Sequence, residues 1–174
     1  TLGNVTLTYL GSYRESERKE FSNAANGAFS ADFAGKYWQT SQEVRLAYGG
    51  DGPLQAQIGG YYFKEKSGIA FFLNNLLGAN TRFGFPQDPT IAENKSVFGQ
   101  ATYEIVPDLK ITGGVRYSHD LKSRVGNTVV DYYDSIGTSY SIGNFIRRQI
   151  NQNNDAKRTF SRVTWRAGVD YDTS

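Results

Sequence analysis

Polar and apolar residues alternate in six separate stretches of this chain. Val5, Leu7, Tyr9, Gly11 and Tyr13 are apolar or small, while Thr6, Thr8, Ser12 and Arg14 between them are polar, with Leu10 the one lapse. Val44, Leu46 and Tyr48 alternate with Glu43, Arg45 and Ala47, and Leu54, Ala56, Ile58, Gly60 and Tyr62 with Gln55, Gln57, Gly59 and Tyr61. Val97, Gly99, Ala101, Tyr103 and Ile105 form the fourth set, Ile111, Gly113, Val115 and Tyr117 the fifth, and Val163, Trp165, Ala167, Val169 and Tyr171 the sixth. A side-chain period of two is that of a β-strand with unlike faces. The chain is therefore predicted to be all-β, with about six up-and-down antiparallel strands.

Tyrosine marks the edges of the apolar face. Tyr13, Tyr62 and Tyr117 fall at or near the C-terminal ends of the first, third and fifth stretches, and Tyr48, Tyr103 and Tyr171 at or near those of the second, fourth and sixth. Because consecutive strands run antiparallel, the two sets fall at opposite edges, with Val, Ile, Leu, Ala and Gly between them. A transmembrane β-barrel wall has this layout, an apolar band about 25 Å tall between aromatic girdles. A soluble β-sandwich also alternates, but it packs a core richer in Leu, Ile and Phe and has no reason to place tyrosine at both rims. The connections point the same way. Gly49 to Pro53 and Val106 to Leu109 are brief and rich in turn formers, whereas 15–37, 65–96 and 121–161 are far longer than the about two to five residues of ordinary hairpin loops. Short and long connections alternate strictly, which puts every long one on the same side of the wall. Phe71 to Leu77 is predicted as a short helix within the second long loop.

Composition narrows the function. No run approaches the roughly 18 to 20 apolar residues of a spanning helix. A net charge of +2, with cations scattered over loops and one strand face, gives no nucleic-acid footprint. With one histidine, His119, and no cysteine there is neither a Cys/His dyad nor a soft-ligand metal site, so no enzyme, cofactor or resident metal is expected. Glu15, Glu17 and Glu20, interleaved with Arg14, Arg18 and Lys19, read as a solvated loop ascent. Asn127, Asp131, Asp134 and Asn144 lack an ordered cation-ligand spacing. About six strands cannot close by themselves, since single-chain barrels start at about eight. The chain is expected to be part of a larger barrel or to assemble with others.

Two hairpins carry a family resemblance. Ser41 to Ala47, Asp51 to Leu54 and Ile58 to Lys66 resemble a barrel hairpin of TonB-dependent outer-membrane receptors. Ser96 to Glu104 with Leu109 to Asp120, the "FGQATY … GVRYSHD" pair, resembles another, and Thr164 to Tyr171 the strand that follows. The nearest resemblance is to the ferric-siderophore type. It implies a 22-stranded barrel in a bacterial outer membrane, with residues 1–174 an internal part of it. It further implies a plug domain elsewhere in the same receptor, a TonB complex that energises uptake, and a ferric siderophore as substrate. On this reading Glu43, Arg45, Glu104, Arg116 and Arg166 line the lumen and face the plug. The aromatic and cationic residues Tyr132, Tyr133, Tyr140, Arg147 and Arg148 of the third long loop are the candidate ligand contacts, with Phe71, Phe72, Arg82 and Phe83 of the second beside them. A surface adhesive β-protein and a passive porin are the alternatives.

Overall fold

The computed structural model describes residues 3–24, 29–137 and 141–172. Eight strand segments form one antiparallel sheet: β1 (Val5–Ala24), β2 (Phe29–Gly49), β3 (Leu54–Asn74), β4 (Thr81–Gly84), β5 (Gln87–Val106), β6 (Leu109–Tyr133), β7 (Phe145–Asn153) and β8 (Ala156–Tyr171). They occupy six positions. β4 and β5 both lie between β3 and β6, and β7 and β8 both pair with β6 along its other edge. The interruption at Phe85-Pro86 falls where proline has no N–H to give the ladder, and it is bracketed by Phe85 N–H donating to Phe71 O at 2.9 Å and Asn127 N–H donating to Pro86 O at 3.0 Å. The second interruption is at Asn154-Asp155, where the register on β6 continues unbroken from Asn127 with Asn153 to Arg124 with Ala156 and the Asp155 carboxylate accepts the Gly126 N–H at 3.0 Å.

The strands are far longer than the apolar alternation indicates. Most of 15–37 belongs to β1 and β2, most of 65–96 to β3 and β5, and much of 121–161 to β6, β7 and β8. Above the apolar band both faces mix polar with apolar residues, Phe33 and Phe71 on one and Trp38 and Phe72 on the other, so the period-two contrast vanishes while the backbone ladder continues. Arg18 with Glu20 at 2.5 Å, and Lys19 with Glu17 at 2.9 Å, are same-face pairs two residues apart on β1 rather than loop residues. The expected helix at Phe71 to Leu77 is also a strand end: Phe72 pairs with Asp32, and Asn74 with Ser30. Asn75 and Asn80 at φ 60°, with Gly78 at φ 118°, then turn the chain tightly into β4.

The register sorts side chains by face. Tyr9, Val44, Gly60, Val97, Tyr117 and Val163 are successive partners across all six positions, as are Leu7, Leu46, Ile58, Gly99, Val115 and Trp165. This apolar face has no second layer on it. Ile58, Val115 and Val169 are 61, 55 and 69% exposed, while the only buried hydrophobic side chains among the described residues are Phe72, Val129 and Val130. An apolar surface this continuous demands a non-aqueous partner.

The tyrosines fall on two parallel lines. Measured on β3, Tyr13 projects through Thr40 onto Lys64, Tyr62 is itself on the strand, and Tyr117 projects through Val97 onto Gly60. Tyr48 projects onto Ala56, Tyr103 onto Leu54, and Tyr171 lies two residues beyond Val169, which projects through Ile111 and Tyr103 onto Leu54 as well. Each line therefore drops by one residue per strand. A drop of about 3.3 Å along the strand for each step of about 4.8 Å across the sheet tilts the strands by about 35° from the normal to the lines. The lines cross β3 about seven residues apart, or about 23 Å along the strand, close to what a tilted spanning strand requires.

Candidate functional site

Two regions gather polar chemistry, the polar face of the sheet and the strand ends at the long-connection side. The polar face is reached by the other strand parity. Arg45 pairs with Gly59, Gly59 with Phe98 and Phe98 with Arg116, while Gln57, Gln100, Gly114 and Arg166 form the neighbouring row. Glu43, Arg45, Glu104, Arg116 and Arg166 thus share one face, opposite the apolar rows. Their commitments differ. Arg45 is ion-paired with Glu43. Glu104 accepts the Asp108 N–H at 3.3 Å, across the turn where Asp108 adopts φ 70°. Arg116 donates to Ser96 Oγ at 2.7 Å and Ser118 Oγ at 3.2 Å, with Tyr61 and Phe98 ring centres 5.8 and 5.9 Å from its guanidinium. The Arg166 stem lies over Gly114, where an added Cβ would come within 3.2 Å of Arg166 Cγ.

Charge is uneven across this face. β6 contributes Lys110, Arg116 and Lys122, and β8 contributes Arg158, Arg162 and Arg166, against Asp120 and Asp170. On β2, β3 and β5 the same face carries Arg45 with Glu43, Glu65 and Glu104. The β6 to β8 side is the cationic one.

At the strand ends the side chains are held to each other. Asn74 Nδ2 donates to Ser30 Oγ at 3.0 Å and Asp32 Oδ2 at 2.8 Å, and Arg82 donates to Asn74 Oδ1 and Asp32 Oδ2, both at 2.9 Å. The Arg82 guanidinium lies 4.1 Å from the centre of the Phe72 ring. Phe83 stacks edge-on with Phe85 at 5.0 Å. One strand pair further on, Arg148 grips Asp131 with two parallel bonds of 2.7 and 2.9 Å, and Asp131 is 1% exposed. The Asp131 carboxylate holds the Arg148 guanidinium above its ordinary pKa. Arg147 stacks on its register partner Tyr132 at 3.9 Å, and Tyr133 meets Phe145 edge-on at 5.7 Å. Tyr140 lies outside the described residues. Asp134 accepts from the Asn144 side-chain amide at 2.8 Å and the Asn144 N–H at 2.8 Å, and this Asn144 amide bond leads in holding its carboxyl below the usual range.

The sequence named the aromatic and cationic residues of this end but not their pairings. Asp32, Asn74 and Asp131 sit on strands far apart in the chain, and no local pattern marks them as partners of Arg82 and Arg148. No cluster of three or more His, Asp or Glu side chains suited to a metal exists among the described residues.

A family model described as TonB dependent receptor-like, β-barrel matches residues 1–174. The solved structure of the ferric yersiniabactin uptake receptor FyuA from Yersinia pestis is similar to this chain, with a TM-score of 0.72 at 15% identity. The likeness covers 100% of this chain and 24% of that receptor, so the chain spans about a quarter of its length. No curated protein matches the chain in sequence.

Proposed function

The chain belongs to the TonB dependent receptor-like β-barrel family, and from that premise we propose that it forms part of the wall of a bacterial outer-membrane receptor for ferric siderophores. Uptake is energised through a TonB complex that engages the parent protein outside residues 1–174. The observation that carries this reading is the apolar face, continuous across six strand positions and bounded by two staggered tyrosine lines. Lipid satisfies such a face, while the strand ends beyond the outer tyrosine line stand in water with polar and apolar residues mixed on both faces. β1 and β8 each pair on one side alone among the described residues, and further strands on both sides complete the backbone bonding that lipid demands.

The opposite face then lines the barrel interior. There Arg116 and Arg166, with Glu43, Arg45 and Glu104, hold or guide the plug domain through charge-assisted hydrogen bonds. The ligand is met at the strand ends. Tyr132, Tyr133 and Arg147 offer ring faces and a cation to an anionic chelate, Tyr140 belongs to the same connection, and Arg148 braces that surface from its pair with Asp131. The test is uptake of radiolabelled ferric chelates by a strain deleted for the gene. Loss of uptake of one chelate, with expression induced by iron starvation, is expected; unchanged uptake of every chelate and no induction would overturn the proposal.

A further inference from the structure

A notch interrupts the apolar face at Gly60. Its row partners Val44 and Val97 stand on either side, and Tyr62 and Tyr117 close the groove toward the outer tyrosine line. A Cβ added at Gly60 would meet only Ser96 O, at 3.9 Å, so the floor is open. The groove encloses about 450 Å³. The row directly above it is polar: Tyr62 pairs with Lys95, and Lys95 with His119. Lys95 and His119 therefore stand on the lipid side of the wall, one to two residues beyond the outer tyrosine line.

The rim has charge to spare. Glu93 Oε1 lies 2.7 Å from Lys95 Nζ and its Oε2 3.9 Å from Lys64 Nζ, so one carboxylate serves two ammonium groups. Lys95 Nζ also lies 5.9 Å from the Tyr62 ring centre. His119 engages Ser161 Oγ through Nδ1 at 2.9 Å, which leaves Nε2 without a partner among the described residues. On β2, β3 and β5 the outward cations are all lysines. Beside and above the tyrosine line these are Lys36, Lys64, Lys66 and Lys95, while the opposite face mixes Arg45, Arg116, Arg162 and Arg166 with Lys110 and Lys122. A lysine stem lies along apolar surface and lifts its ammonium to the head-group level. An apolar slot below and an incompletely neutralised cationic rim above match a molecule with the same two halves.

We propose that the Gly60 groove binds one phosphate-bearing lipid of the outer leaflet, an acyl chain lying against Gly60 between Val44 and Val97 and the phosphate held by Lys95 and His119. The site is continuous with the membrane-facing band. It rests on the outward face meeting lipid and is independent of which solute is transported.

The test uses the complete receptor that contains this segment, with bound lipid counted by native mass spectrometry. The probes are phosphatidic acid and a diacylglycerol with the same chains. Two cationic or donor groups at the rim predict a preference for phosphatidic acid of about tenfold or more. Lys95→Gln combined with His119→Gln should abolish that preference. Gly60→Leu should lower retention of both lipids, and Gly113→Leu, at an open outward glycine remote from the rim, should change neither. Undiminished phosphatidic acid retention in the rim variant overturns the proposal, as does a loss matched by inorganic phosphate competition, which would mark a head-group contact without a groove. Each variant is read on the folded fraction, identified by heat-dependent gel mobility. The rim variant alters exposed side chains and decides the matter alone if Gly60→Leu does not fold. Failure here leaves chelate uptake untouched, and loss of uptake by deletion leaves this site standing.

Discussion

At the scale of single residues, the polar groups at the strand ends are arranged for mutual restraint. Asp131 is almost wholly removed from solvent, and its charge is tolerable because Arg148 presents two N–H groups in the matching fork. Arg148→Ala strands the carboxylate. Removing one partner of a buried pair costs about 3 to 5 kcal/mol, and the half-exposure of Arg148 lowers the expectation to about 2 kcal/mol. Denaturant unfolding of the complete receptor, with hydrogen exchange over 127–133, should register that loss, and Asp131→Asn in the Arg148→Ala background should recover much of it. Equal stability of parent and Arg148→Ala would mean that the pair carries no weight. Arg148 was legible in the sequence as a cation of an aromatic connection. Its partner was not, because β6 to β7 register, rather than proximity in the chain, sets Asp131 opposite Arg148.

At the scale of the element, each strand is two objects joined end to end. In the lower part, period-two alternation separates a lipid face from a wet face. In the upper part, water bathes the sheet and the contrast disappears. Ile58 and its neighbour Gln57 on β3 provide a direct comparison, since adjacent residues point to opposite faces. Ile58 lies near midway between the tyrosine lines, and Ile58→Arg should cost about 2 to 4 kcal/mol, the depth-dependent cost of a cation on a lipid face. Gln57→Arg should fold with little change, because its side chain lies on the polar face. Reversible unfolding of the complete receptor in lipid vesicles measures both, and equal costs would assign both faces the same solvent. The lower half of every strand was thus readable from the sequence. The strand extensions were not, since Glu15, Arg18 and Lys66 carry no alternation of hydrophobicity to reveal the ladder that holds them. The predicted helix at Phe71 to Leu77 failed for a related reason. Its apolar run has no unique period, and pairing with β2 and β4 decided it.

At the scale of the whole molecule, the one-residue drop of both tyrosine lines ties register to orientation. If the tyrosines sit at the two interfaces, the strands of the complete receptor lie about 35° from the membrane normal. Polarised infrared dichroism of oriented bilayers measures that angle, and strands lying parallel to the normal would break the link between the tyrosine lines and the interfaces. The uneven distribution of cations over the polar face, concentrated on β6 and β8, is also a property of the assembled wall.

The sequence by itself determined which face of each strand is apolar, where the tyrosines fall and which turns are tight, because these depend on a period of two and on local turn chemistry. Only the tertiary structure decided how far the strands run beyond the apolar band, that β4 and β5 share one position, and that Asp32 and Asp131 engage Arg82 and Arg148. The groove at Gly60 belongs to the same class. All of these arise from the hydrogen-bond register between strands, which joins residues distant in the chain through contacts that no local pattern encodes.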